Sequence, residues 1–99
     1  MGYDLKITIR DVRGFCPIYH PGDCFWLEQG YIINPEKARR ICLHSLASLL
    51  PYHVALSHGV APIAIGLNKR DENRAYVQCL DPCEWTGGGT VTFEVEIQS

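Results

Sequence analysis

Two stretches of the chain alternate apolar and polar residues with a period of two. In residues 4–12, Leu5, Ile7 and Ile9 alternate with Lys6, Thr8 and Arg10. In residues 90–97, Val91, Phe93, Val95 and Ile97 alternate with Thr92, Glu94 and Glu96. Successive side chains of a strand point to opposite faces, so each stretch predicts a strand with one buried and one wet face. The wet faces carry opposite charge, Lys and Arg against Glu. Cross-strand pairs of that kind contribute about 0.2–1 kcal/mol each. The two terminal strands are therefore expected side by side in one sheet.

Between them, residues 14–22 (GFCPIYHPG) read as a loop punctuated by glycine and proline. Residues 23–28 predict a short strand, and residues 76–80 a further strand with Val77 and Cys79 inward. A helix is predicted from Asn34, whose side chain can cap it, through Pro35 at the first helical position. Its apolar stripe is Ala38, Ile41, Cys42, Leu46 and Leu49, with Ser45 inside it, and Pro51 ends or kinks it. Residues 52–58 predict a second short helix stopped by Gly59. Residues 60–67, broken by Pro62, read as a buried irregular segment or short strand, and residues 68–74 as a solvated loop. The expectation is one α+β domain over residues 1–99. Its antiparallel sheet has about four strands, with one main helix and a short second helix packed on one face.

Composition changes this picture little. The chain has 99 residues, 46% of them hydrophobic and 20% charged, as in ordinary globular domains. The net charge of -2 supplies no field for nucleic acid or an anionic membrane, and neither is expected as a partner. The first residues carry no apolar signal core, which sets the expectation of a cytoplasmic protein.

The cysteines change it more. There are five, an odd number, which in a reducing compartment points to free thiols, a metal site or redox chemistry. Cys42 on the helix stripe and Cys79 on the inward side of its strand are expected to face the same helix–sheet interface. Cys16 leaves the adjoining first strand. Cys16, Cys42 and Cys79 are thus the candidate metal ligands, with His20 or Cys83 as a fourth. Zinc or an iron–sulfur cluster is the candidate cofactor. The spacings C-x3-H (Cys16, His20) and C-x3-C (Cys79, Cys83) are looser than the usual zinc patterns. Cys42 and His44, two apart on a helix, are expected on opposite sides. Cys16, near His20, is the best candidate nucleophile.

No Ser/His/Asp arrangement emerges from spacing, and the chain leans away from being an enzyme. Asp23, His20 and Asp81 are the polar residues an enzyme pocket would use. The run Thr86-Gly87-Gly88-Gly89-Thr90 enters a strand and lacks the Lys of a phosphate loop, so it reads as a turn. The alternative to a thiol site is a non-catalytic interaction module or homo-oligomer, with buried cysteines as packing and Trp85 in a contact surface.

Four pieces together resemble a known pattern: Cys16-Pro17 with Gly22-Asp23, CLHSLASLLPY from Cys42, YVQCLDP from Tyr76, and TVTFEV from Thr90. In that order they resemble a family of small uncharacterised prokaryotic proteins of similar length. The resemblance implies an α+β fold and no established activity. The family's cysteines match Cys16, Cys42 and Cys79, while Cys24 and Cys83 stand outside its pattern.

Overall fold

A computed structural model describes residues 2–37 and 39–99. Along the chain lie β1 (Asp4–Gly14), β2 (Cys24–Leu27), α1 (Leu43–Leu49), α2 (His53–Ser57), a 3-10 turn (Pro62–Ile65), β3 (Arg74–Gln78) and β4 (Gly89–Gln98). The four strands form one antiparallel sheet in the order β2-β1-β4-β3. The helices cover one face of it, giving the expected α+β architecture.

The terminal strands are the central pair. Leu5, Ile7, Ile9, Phe93, Val95 and Ile97 are buried on the covered face. On the open face Lys6 stands opposite Glu96 and Thr8 opposite Glu94. Arg10 approaches Glu94 at 3.9 Å, and Arg74 on β3 reaches Glu96 at 3.2 Å. These exposed pairs add little individually, because water screens them.

β1 does not keep a single phase. Ile9 pairs with Phe93 and Asp11 with Thr92, leaving Arg10 as an extra residue in a bulge. Unbulged, Val12 would share the open face with Arg10. The inserted residue instead turns Val12 inward against the core, opposite the buried Val91.

The main helix departs from the sequence expectation. Asn34 does accept a hydrogen bond from the Glu36 N–H at 3.0 Å, but the result is a single turn. The regular helix begins only at Leu43, and Cys42, with extended backbone, precedes it as the N-cap. Ala38, assigned to the stripe, lies outside the described residues. The reason is tertiary. Arg39 and Arg40 donate to the carbonyls of Ile18 and Pro17 at 3.2 and 3.3 Å, which ties this segment to the loop after β1. Residues 60–67 contain the 3-10 turn in place of the irregular segment or strand, closed by Gly66 in the left-handed region at φ 76°. The second helix ends before Gly59 at φ 82°, as expected.

The aromatic centre of the core is Phe93, fully buried on β4 and met edge-on by Tyr19. Phe93→Ala is expected to cost about 3–5 kcal/mol, a large share of a small domain's stability. Urea unfolding followed by circular dichroism measures it.

Candidate functional site

The loop joining β1 to β2 folds back so that Tyr19 enters the core. Its ring stacks on Phe25 at 6.2 Å and meets Phe93 at 5.7 Å. The Arg39 guanidinium lies over the same ring at 5.8 Å and pairs with Asp23 at 2.9 Å. One cation thus holds both the middle and the end of the loop. Asp23 also accepts the His20 N–H at 2.7 Å. That backbone bond, followed by Arg39, holds the Asp23 carboxyl below the usual aspartate range.

At the other end of the phenol, three hydrogen bonds form a closed circuit. The Cys42 N–H donates to the Tyr19 hydroxyl at 2.9 Å. The Ser45 hydroxyl donates to the Cys42 carbonyl at 2.6 Å. The Tyr19 hydroxyl therefore donates to Ser45 Oγ, at 2.8 Å. Burial pushes the Tyr19 phenol above the usual tyrosine range, which keeps its proton available as a donor. Ser48 likewise donates to the Gln78 carbonyl at 2.6 Å and fixes α1 to the end of β3.

This circuit forms part of the wall of a cavity of about 190 Å³. Cys16, Cys42 and Cys79 all line it, one from each of three segments distant in sequence. Cys16 accepts the Tyr19 N–H at its sulfur, at 3.4 Å. Its seat is shaped by Gly89, where a Cβ would lie 2.6 Å from the Phe15 carbonyl carbon, so only glycine admits the chain so close. Cys79 stands one residue beyond β3. Its sulfur accepts the Val91 N–H at 3.2 Å and its thiol faces the Gly89 carbonyl at 3.4 Å. Cys79 is buried, whereas Cys16 and Cys42 are half-buried, and all five cysteines are free.

The remaining predicted residues are dispersed. His20 is exposed, beside Asp23 and outside the cavity. Cys83 borders a separate depression with Arg13 and Trp85. Cys24 pairs with Thr8 on β1. Asp81 lines the thiol cavity, away from the His20–Asp23 pair, and its side chain accepts a hydrogen bond from Thr86. His44 also lines the cavity with Cys42, contrary to the expectation that the two face opposite ways. That expectation assumed helical geometry at both positions, and Cys42 is extended. Tyr19 and Ser45 had no sequence signal as partners, because the contact that joins them is tertiary. Among the described residues, no group of three or more His, Cys, Asp or Glu side chains is gathered to hold one metal ion. No helix among them is long and apolar enough to cross a membrane. The chain matches no protein-family model, no curated protein and no solved structure.

Tyr19→Phe removes the hydroxyl and leaves the Cys42 N–H without its acceptor. The expected loss is about 1–3 kcal/mol in urea unfolding. Asp23 has a depressed folded pKa. Its stabilisation is present above the unfolded aspartate range and is lost as pH falls through the folded value. Asp23→Asn is therefore expected to lower the urea midpoint at pH 7, with the difference from wild type closing in acid.

Proposed function

We propose that the protein works through a cluster of three free thiols, Cys16, Cys42 and Cys79, as a redox-sensitive site in a reducing compartment such as the cytoplasm. The observation that supports this reading is that a single cavity collects all three from separate segments, with no disulfide among them. Three thiols on one small cavity are a soft, oxidisable set.

Cys16 and Cys42 are the accessible members. Attack of either thiolate on a peroxide breaks the O–O bond, forms a sulfenic acid and releases water or an alcohol. Condensation with a second cavity thiol then forms an S–S bond and releases water. Cys79, buried and hydrogen-bonded at sulfur, reacts later in this scheme.

A soft metal is the second reading, suggested by the donor types alone. A zinc ion or iron–sulfur cluster would use Cys16, Cys42 and Cys79, with His20 or Cys83 as a fourth ligand. Zinc–thiolate bonds are about 2.3 Å long, and the described side chains are not gathered for such a centre. His20 and Cys83 also stand off the cavity.

Limited peroxide treatment followed by peptide mapping tests the first reading. Oxidation is expected at Cys16 or Cys42 ahead of Cys24 and Cys83, and Cys42→Ser is expected to slow it. Equal oxidation of all five cysteines removes the reading. Stoichiometric metal in protein purified without chelator, with thiols protected from peroxide, supports the metal reading instead.

A further inference from the structure

The thiol cavity has a buried floor and an exposed mouth. Val91 and Phe93 of β4, with Tyr19 and Ser45, are buried at the floor. Phe15, Pro17 and His44 on its wall are exposed. The polar atoms of the floor already have partners. The Tyr19 and Ser45 hydroxyls bond to each other and to the Cys42 backbone. The Asp81 side chain, also on the wall, accepts from Thr86. Among the described residues, Arg39 Nε is the one buried side-chain nitrogen or oxygen without a partner, and Arg39 does not line the cavity. A water molecule inside a protein needs about 2–4 polar partners. A hydrophilic guest finds few on this floor, and an apolar guest needs none.

Resting on the three-thiol reading above, we infer that the cavity receives a small, uncharged organic hydroperoxide. Its alkyl or aryl group sits on the floor and its peroxide end among the sulfurs. Size sets one limit. An apolar cavity of about 150 Å³ admits benzene, and drug-sized ligands take about 300–1,000 Å³. The cavity of about 190 Å³ therefore holds a group near benzene in size, and a whole lipid or nucleotide is too large. Charge sets a second limit. No Lys or Arg stands among the described residues that line it, so an anionic peroxide meets the Asp81 carboxylate and no cation. The third limit is chemical, because thiols reduce an O–O bond and leave a hydrocarbon untouched. The thiolate of Cys16 or Cys42 attacks the terminal peroxide oxygen. The O–O bond breaks, the sulfur keeps the OH as a sulfenic acid, and the alkoxide leaves with the bonding pair. It takes up the proton that the thiol released and departs as an alcohol. Hydrogen peroxide reacts in the same way but has no apolar group to bury.

The probes are tert-butyl hydroperoxide and hydrogen peroxide, with benzene as an unreactive occupant. Peptide mapping follows oxidation of each cysteine in the folded chain and in the chain unfolded in urea, which supplies the intrinsic reactivity of each peroxide. Folding is expected to favour tert-butyl hydroperoxide over hydrogen peroxide at Cys16 and Cys42 by about tenfold or more, because its methyl groups are buried on the way to reaction. No such gain is expected at Cys24 or Cys83. Benzene is expected to move the amide NMR signals of Tyr19 and Val91 and to slow oxidation of Cys16 and Cys42. A peroxide ratio unchanged by folding, with Cys16 or Cys42 still oxidised first, overturns the hydroperoxide inference and leaves the thiol reading standing. So does benzene that alters neither the two amides nor the two rates. Equal oxidation of all five cysteines by both peroxides removes the thiol reading, and the hydroperoxide inference falls with it, even where benzene still moves the Tyr19 and Val91 signals.

Discussion

The buried phenol of Tyr19 is the contact on which the candidate site depends. Its ring is shared by Phe25 of β2 and Phe93 of β4, so the loop after β1 is anchored to the two strands that flank β1. Its hydroxyl accepts the Cys42 N–H and donates to Ser45, so the start of α1 is anchored to the same residue. Cys16, three residues earlier, accepts the Tyr19 N–H. Two of the three cavity thiols are thus held by the backbone and hydroxyl of one tyrosine. The third is held by the β4 backbone at Val91 and Gly89. Every member of this arrangement satisfies a buried polar group. An apolar replacement at any point leaves a partner unpaired, and buried unpaired groups are costly.

Arg39 supports the anchor from outside. It covers the Tyr19 ring, pairs with Asp23 and donates to the Ile18 carbonyl. Arg40 adds a bond to Pro17. These contacts also explain why residues 39–42 form no helix. A helix running unbroken from Asn34 would carry both guanidinium groups away from the loop. The local preference for helix at Asn34-Pro35 yields one turn, and the tertiary contacts decide the rest.

The sheet was legible in the sequence because period-two alternation records burial directly. Leu5, Ile7 and Ile9 against Phe93, Val95 and Ile97 could be read as one face before any coordinates. The bulge at Arg10 was not legible. It depends on the pairing partner, and Val12 looks like a polar-face residue until the extra residue is counted. Cys79 was placed inward by the same alternation. Cys42 was placed inward as part of a helical stripe, and it reaches the cavity by another route, as the extended residue before the helix. The convergence of Cys16 with them, and the presence of His44 and Asp81 on the cavity wall, depend on the loop fold. Residue spacing carries no record of that. The burial of Ser48 on α1 was obscured for a related reason. Leu49 is buried with Ser45 as the stripe suggested, whereas Leu46 is only half-buried and Ser48, which nothing in the pattern marked, is buried beside them.

The burial of those two serines has a mechanical consequence. Helices seated on aliphatic side chains rest on non-directional contacts, and small slides or rotations about the axis change their energy gradually. Hydroxyl groups bonded to fixed carbonyls act differently, because hydrogen bonds weaken steeply with angle and distance. Ser48 on the Gln78 carbonyl is one such detent, and Ser45 with the Tyr19 hydroxyl is a second. They set both the rotation and the height of α1 against the sheet and the loop, and so index the position of the sulfur at its head.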